Sequence, residues 1–202
     1  MKLDLGCGRS KKGPDWIGAD AIAFPGVDVV VNLAERKHSD LCISRAAAEG
    51  GCTCPRDRNV FVPWPWGDNS VEEAHSSHFV EHLDPFERKH FVEQLWRVMA
   101  IGAQAQITVP YAFSERAYGD LTHKWPPLVG FWFFYLDADW CAANSAHHTY
   151  AANFKVLWGH SVRPDLAARS AEFQQEALAK ELNASMDMGA TFTKAEMPPA
   201  KP

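Results

Sequence analysis

One stretch near the N-terminus constrains the fold more than any other. Leu3-Asp4-Leu5-Gly6-Cys7-Gly8 reads as a short strand that breaks at once into a turn with two glycines. Glycine lets a chain turn sharply and lets its backbone approach a ligand with no Cβ in the way. A second short strand is expected over residues 16–20 and a third, carried by Val29, Val30 and Val31, over 28–33. Asp20 ends the second strand, where a carboxylate can accept both hydroxyls of a ribose. Gly6 and Gly8 alone make an ordinary turn, and Asp20 alone a solvated strand end. Their pairing at adjacent strand ends is what points to a ligand. The third glycine of a dinucleotide fingerprint is absent, because Lys11 stands there. The links 9–15 and 21–27 are also too short for a full crossover helix. No helix N-terminus is then expected to hold a pyrophosphate, and a ligand with a ribose but no phosphate fits better.

Further along, 39–49 predicts a helix that stops at Gly50-Gly51, followed by loop over 52–62. Residues 73–77 form a weakly patterned strand. The clearest helix starts with Asp84 as N-cap, Pro85 in the first position and Glu87 completing a capping box. Phe91, Leu95 and Val98 follow at helical spacing. Residues 104–109 alternate into a strand ended by Pro110, 111–127 is irregular, and 154–161 is a strand. Leu166, Phe173, Ala177, Leu178 and Leu182 mark one amphipathic helix, with Pro164 near its start, and 189–194 is the last strand. Strands alternating with helices predict a single α/β Rossmann-like domain over 1–202. Its mostly parallel open sheet has an antiparallel last strand and trimmed helices in the first half, and 35–62 reads as an insertion or variable segment.

The chain has 202 residues, a formal net charge of −5 and no long run of Lys or Arg, so nucleic acid is not indicated as a partner. The longest strongly apolar run, 128–136, is short of the roughly 20 residues of a membrane span. The N-terminus lacks the apolar stretch of a signal peptide. Five cysteines, an odd count, fit reduced thiols in a cytoplasm. His38, Cys42, Cys52 and Cys54 could in principle make a tetrahedral zinc site, but Cys52-x-Cys54 is tighter than the usual pairs. The expectation is a surface loop with no metal. The 131–135 run of aromatics reads as core, with an aromatic wall for a substrate as the alternative.

These segments together resemble the class I S-adenosylmethionine-dependent methyltransferases, in their type 11 branch. Residues 3–8 look like the D-x-G-C-G form of the first motif, and Gly18-Ala19-Asp20 is similar to the acidic second-strand motif. Asp68-Asn69-Ser70 followed by His78-Phe79-Val80-Glu81-His82 resembles a "D-x-S … H-x-x-E-H" stretch. Residues 97–110 resemble "R-V-L-x-P-G-G … V-P", with Ala100, Ile101 and Ala103 departing from it. Asp120-Leu121-Thr122-His123 resembles "D-P-T-H", with Leu for Pro. The resemblance implies an enzyme with S-adenosyl-L-methionine as cofactor. Gly6, Cys7 and Gly8 would pass under the methionine moiety with Asp4 nearby, and Asp20 would hold the ribose. Asn32 and Leu33 would lie near the adenine, and His78 and Phe79 would line the pocket.

Methyl transfer from a sulfonium asks a protein mainly for positioning and exclusion of water. A base is needed only where the acceptor must lose a proton. His123, with Asp120 as its orienter, is the expected acceptor-side residue, and Tyr111 and Arg116 are neighbours on the same irregular segment. The acceptor itself is unidentified, with a small molecule favoured. His78-x-x-Glu81-His82 also spells a zinc-hydrolase pattern, but that pattern needs a helix and the helix begins only at Asp84. No metal is therefore expected, and Glu81 and His82 are read as fixing the strand-to-helix loop by hydrogen bonds. A nicotinamide oxidoreductase and a non-catalytic cofactor-binding module are the alternatives.

Overall fold

A computed structural model describes residues 1–38, 59–144 and 150–198. The helix expected over 39–49 and the cysteines Cys42, Cys52 and Cys54 lie outside the described residues. The strands are β1 (Lys2–Leu5), β2 (Ile17–Asp20), β3 (Val29–Val30), β4 (Arg36–His38), β5 (Asn59–Phe61), β6 (Val71–Ser77), β7 (Met99–Pro110), β8 (Phe154–Val162) and β9 (Ser185–Lys194). Seven of them form one sheet in the order β3-β2-β1-β6-β7-β9-β8. β3, β2, β1, β6 and β7 pair in parallel, and β9 runs antiparallel to both neighbours. The expected mostly parallel sheet with an antiparallel last strand is thus the observed architecture. β4 and β5 pair with each other at the base of the segment read as an insertion.

The two faces of the sheet differ sharply. Leu3, Leu5, Ala19, Ala74, Ala105, Ile107, Val109, Met188, Ala190 and Phe192 point to one side and are buried. They pack against Phe91, Val92, Leu95 and Val98 of α1 (Pro85–Val98) and against Phe133 and Leu136. The registers put Glu73, His75, Gln104, Gln106, Thr191, Thr193 and Leu157 on the other side, and none of these is buried. Parallel sheets usually carry helices on both faces and read as continuous apolar runs. Here β7 over 104–109 and β9 over 187–194 alternate buried with less buried positions, as a sheet with one open face does. Between β1, β2 and β3, side chains and loops substitute for crossover helices. Asp28 accepts from Gly18 N–H and from Lys11 Nζ, both at 2.8 Å, tying the 9–16 and 21–28 links together.

Local signals are realised where they are self-contained. Asp84 Oδ1 accepts from the N–H of Phe86 and Glu87, and Glu87 returns the bond to Asp84 N–H at 2.8 Å, so the capping box forms as read. Three expectations are corrected. The third strand shrinks to Val29–Val30, because Asp28 is committed to Gly18 and Lys11 and because Asn32 closes a turn onto Ala34 N–H. β7 begins at Met99, immediately after α1, with Gly102 at φ 79 inside it. The helix expected from Pro164 to Leu182 divides into Pro164–Ala167 and Ala171–Lys180, the second capped by Ser170. The aromatic run is half core and half surface: Phe133 is buried, whereas Phe131 and Phe134 are exposed.

Candidate functional site

The carboxyl ends of β1, β2, β3, β6 and β7 bring the sequence-derived residues to one edge of the sheet. Gly6 and Gly8 both hold positive φ, at 68 and 54. Gly6 N–H donates to Ala19 C=O at 2.8 Å, and Gly8 N–H to Asp20 Oδ2 at 2.9 Å. Asp20 also accepts from Ile22 N–H at 2.9 Å. Each carboxylate oxygen retains a lone pair, so the group can still take hydroxyl donors. The two glycines differ. A Cβ on Gly6 would sit 2.4 Å from the ring of Phe79, whereas one on Gly8 would meet nothing within 4 Å. Gly6 makes room for Phe79, which packs on toward Phe91 at 5.7 Å. Gly8 leaves open backbone beside Asp20.

Other expected contacts are placed differently. Asp4 lies on the polar face of the sheet with both oxygens engaged, by Lys12 N–H and His75 Nδ1 at 2.7 Å each. It pins the 9–16 loop to the sheet. The Leu33 side chain is in the core, and its carbonyl accepts from Trp64 Nε1 at 2.9 Å. Only Asn32 of that pair is exposed. Burial, with Asp4 and Asp20 nearby, pushes the Cys7 thiol up to about 11, so it stays protonated and is no nucleophile.

Beyond β6 and β7 an open cleft of about 650 Å³ is lined by His78, Glu81, His82, Arg116, Gly119, Asp120, Leu121 and His123. His78, at φ 53, leaves β6 with its N–H on Thr108 C=O. Its Nδ1 lies 3.3 Å from Glu81 Oε1, and this carboxylate raises His78 above the ordinary histidine value. Val80–His82 forms a 3-10 turn, not the helix a zinc-hydrolase motif needs. His82 does fix the loop as expected, with Nδ1 2.8 Å from Thr122 Oγ1. Glu81 does so through its backbone, its C=O accepting from Lys124 N–H at 2.8 Å, whereas its buried carboxylate faces only His78 and makes no hydrogen bond. His123 and Asp120 share the cleft but stand 4.0 Å apart, beyond hydrogen-bond reach. The His123 ring is oriented by Ala117 C=O, 3.1 Å from Nδ1, and Asp120 accepts from Thr122 N–H and Oγ1 instead. Tyr111 is buried against His160, and Arg116 pairs with Asp187.

Sequence reading missed Arg88 altogether. Nearly buried on α1, it donates to the carbonyls of Val80 at 3.2 Å, Pro126 at 2.6 Å and Lys124 at 2.9 Å. It therefore clasps the Val80–His82 turn to the loop that carries His123. An arginine on an amphipathic helix reads as solvated, and nothing local marks this one.

No protein-family model matches the sequence, and no curated protein matches it. Solved structures do. An S-adenosylmethionine-dependent methyltransferase from Archaeoglobus fulgidus superposes with a TM-score of 0.57 at 19% identity, over 96% of this chain and 85% of that one. The chain has the fold of these methyltransferases. A Haloferax volcanii structure of the Trm112 methyltransferase activator with its partner gives 0.51 at 12% identity, over 98% and 82% of the two chains. Geranyl diphosphate C-methyltransferase from Streptomyces coelicolor A3(2) gives 0.50 at 12% identity, over 96% and 71%. Among the described residues no helix is long and apolar enough to cross a membrane.

Proposed function

We propose that this protein is an S-adenosylmethionine-dependent methyltransferase, folded as one domain with 35–62 as an insertion. The observation that carries the reading is the bond from Gly8 N–H to Asp20 Oδ2 at 2.9 Å. It joins an uncovered glycine backbone to a ribose-type carboxylate at adjacent strand ends of a methyltransferase-type sheet. The residues fit the cofactor. Gly6, Cys7 and Gly8 offer backbone to its methionine end, Asp20 offers free lone pairs to a ribose, and exposed Asn32 stands at the next strand end. His78 and Phe79 border the same edge. The 9–16 loop contains no helix, which leaves a pyrophosphate without the N–H array it would need.

When bound, the cofactor supplies a methyl group already activated by its sulfonium. The protein's part is to align an acceptor in the cleft and to keep water out. His123 stands on the acceptor side. Its Nδ1–H is spent on Ala117 C=O, so the lone pair of the neutral ring lies on Nε2. Asp120 supports that side as a nearby charge. The acceptor is assigned to the small-molecule class, in keeping with the chain's net charge of −5.

S-adenosylhomocysteine tests this directly. At a hundredfold excess over its dissociation constant it should stabilise the folded protein by about 2.7 kcal/mol, and Asp20→Ala should remove most of that gain. A rise in melting temperature with NADH and none with S-adenosylhomocysteine would overturn the assignment.

A further inference from the structure

We propose that Glu81, His82 and His123 bind a divalent transition-metal cation. The site stands on its own geometry; only its use on a methyl acceptor rests on the function proposed above. One ligand atom from each of the three residues lies within 4.8 Å of the others. They come from two segments far apart in sequence, the Val80–His82 turn and the loop after Asp120, which Arg88 and the bond from Lys124 N–H to Glu81 C=O hold together.

Glu81 is the first pointer to a ligand. It is 5% exposed, both carboxylate oxygens are shielded from solvent, and neither has a hydrogen-bond partner. Its nearest charged neighbour is His78 Nδ1 at 3.3 Å. A buried carboxylate without donors is expensive unless something cationic completes it. The other cation lining the cleft, Arg116, is already paired with Asp187.

The histidine tautomers are the second pointer. Asp120 is a carboxylate that accepts from Thr122 N–H at 2.8 Å and has no proton to give. The Thr122 hydroxyl must therefore donate to Asp120, at 2.7 Å, and is left to accept from His82 Nδ1–H at 2.8 Å. His123 Nδ1–H likewise donates to Ala117 C=O at 3.1 Å. Both neutral rings then carry their lone pair on Nε2. Histidines that ligate metals are oriented in this way, with the far nitrogen donating to a carbonyl or toward a carboxylate.

Two imidazoles and one carboxylate suit zinc, manganese or iron(II) better than calcium or magnesium, which prefer all-oxygen sites. Metal–ligand bonds of about 2.0–2.2 Å would draw the three atoms closer than 4.8 Å, a movement that side-chain rotation supplies. Three protein ligands leave positions open to water or to an acceptor hydroxyl, whose proton the cation would loosen. His123 would then act on the acceptor through the metal.

The test is calorimetric titration of the chelator-treated full chain with manganese(II) chloride and with zinc chloride. One saturable site per chain is expected, weakened at least about tenfold in Glu81→Gln and in His82→Ala and unchanged in Cys52→Ser/Cys54→Ser. In chelator, Glu81→Gln should melt no lower than the parent chain, because the buried carboxylate has only the His78 contact at 3.3 Å and no hydrogen bond to lose. A side chain that merely fixed the loop would give a lower melting temperature when replaced. Absence of saturable binding, or binding that survives both Glu81→Gln and His82→Ala, overturns the proposal. S-adenosylhomocysteine binding without metal binding overturns this proposal alone, and metal binding without S-adenosylhomocysteine binding overturns the methyltransferase reading alone.

Discussion

The two ends of the sheet's carboxyl edge are built by different means. The β1–β2 end is made of contiguous backbone: two glycines at positive φ, an N–H on the next strand's carboxylate, and links tied by Asp28. The far end is made of side chains gathered from the turn at 80–82, the loop at 120–123 and Asp187 on β9, with Arg88 as their clasp. A backbone cradle needs little from the rest of the fold. A side-chain cluster exists only if the elements beneath it are held in register, so it should be the more fragile of the two.

Arg88→Ala is the most severe way to break that contrast. It removes the charged donor from the part-buried carbonyls of Lys124 and Pro126 and leaves Val80 C=O with only Leu83 N–H. We expect a loss of about 3–5 kcal/mol of unfolding free energy, since each polar group that loses its donor costs about 1–3. Urea denaturation would read it. A loss below about 1 kcal/mol would mean that the cluster is held by something else.

The same contrast explains what was legible. Gly6, Gly8 and Asp20 could be read because a turn and a strand end announce themselves within a few residues. So could Asp84-Pro85-Glu87, whose capping box is a local hydrogen-bond pattern. The burial of Leu33 and the partners of Asp4 are not legible, because which face of a short strand is buried depends on its neighbours. Asp4 turned out to face His75 and the 9–16 loop. Asp120 and His123 were read as a pair from their spacing, yet Thr122 between them captures the carboxylate and Ala117 C=O captures the ring. The unpartnered state of Glu81 is a property of burial, which sequence spacing does not carry. The apolar spacing from Leu166 to Leu182 runs through Ser170 and hides the N-cap that this serine forms for Ala171–Lys180.

At the backbone end, the two glycines sharpen the comparison at smaller cost. Gly6→Ala combines left-handed strain with a Cβ 2.4 Å from the Phe79 ring, and should cost about 3 kcal/mol. Phe79→Ala in that background should return part of it. Gly8→Ala meets no atom within 4 Å and should cost only about 1 kcal/mol of strain. It should weaken S-adenosylhomocysteine by at least about tenfold, because a methyl would stand where the ligand approaches. If Gly6→Ala and Gly8→Ala were equal in both stability and affinity, the backbone end would not divide into a packing glycine and a ligand-facing one.

The smallest effect separates the two ends by the kind of interaction that holds a carboxylate. Asp28 is held below its ordinary value first by Lys11 and then by Gly18 N–H. Asp120 is held low chiefly by the hydroxyl and N–H of Thr122, which are uncharged. For both, the folded-state value is depressed. The stability each contributes is therefore present above the unfolded carboxylate value of about 3.9 and is lost as pH falls through the folded one. Asp28→Asn and Asp120→Asn should each flatten the acid limb of a melting-temperature profile between about pH 5 and pH 3. Salt should tell them apart. The Asp28–Lys11 pair is an ionic contact at the surface, so its contribution should shrink markedly at about 0.5 M salt. The Asp120 contribution, resting on neutral donors within hydrogen-bond distance, should change little. Profiles of the two variants and the parent at low and high salt would decide it, and equal salt sensitivity at both sites would dissolve the distinction.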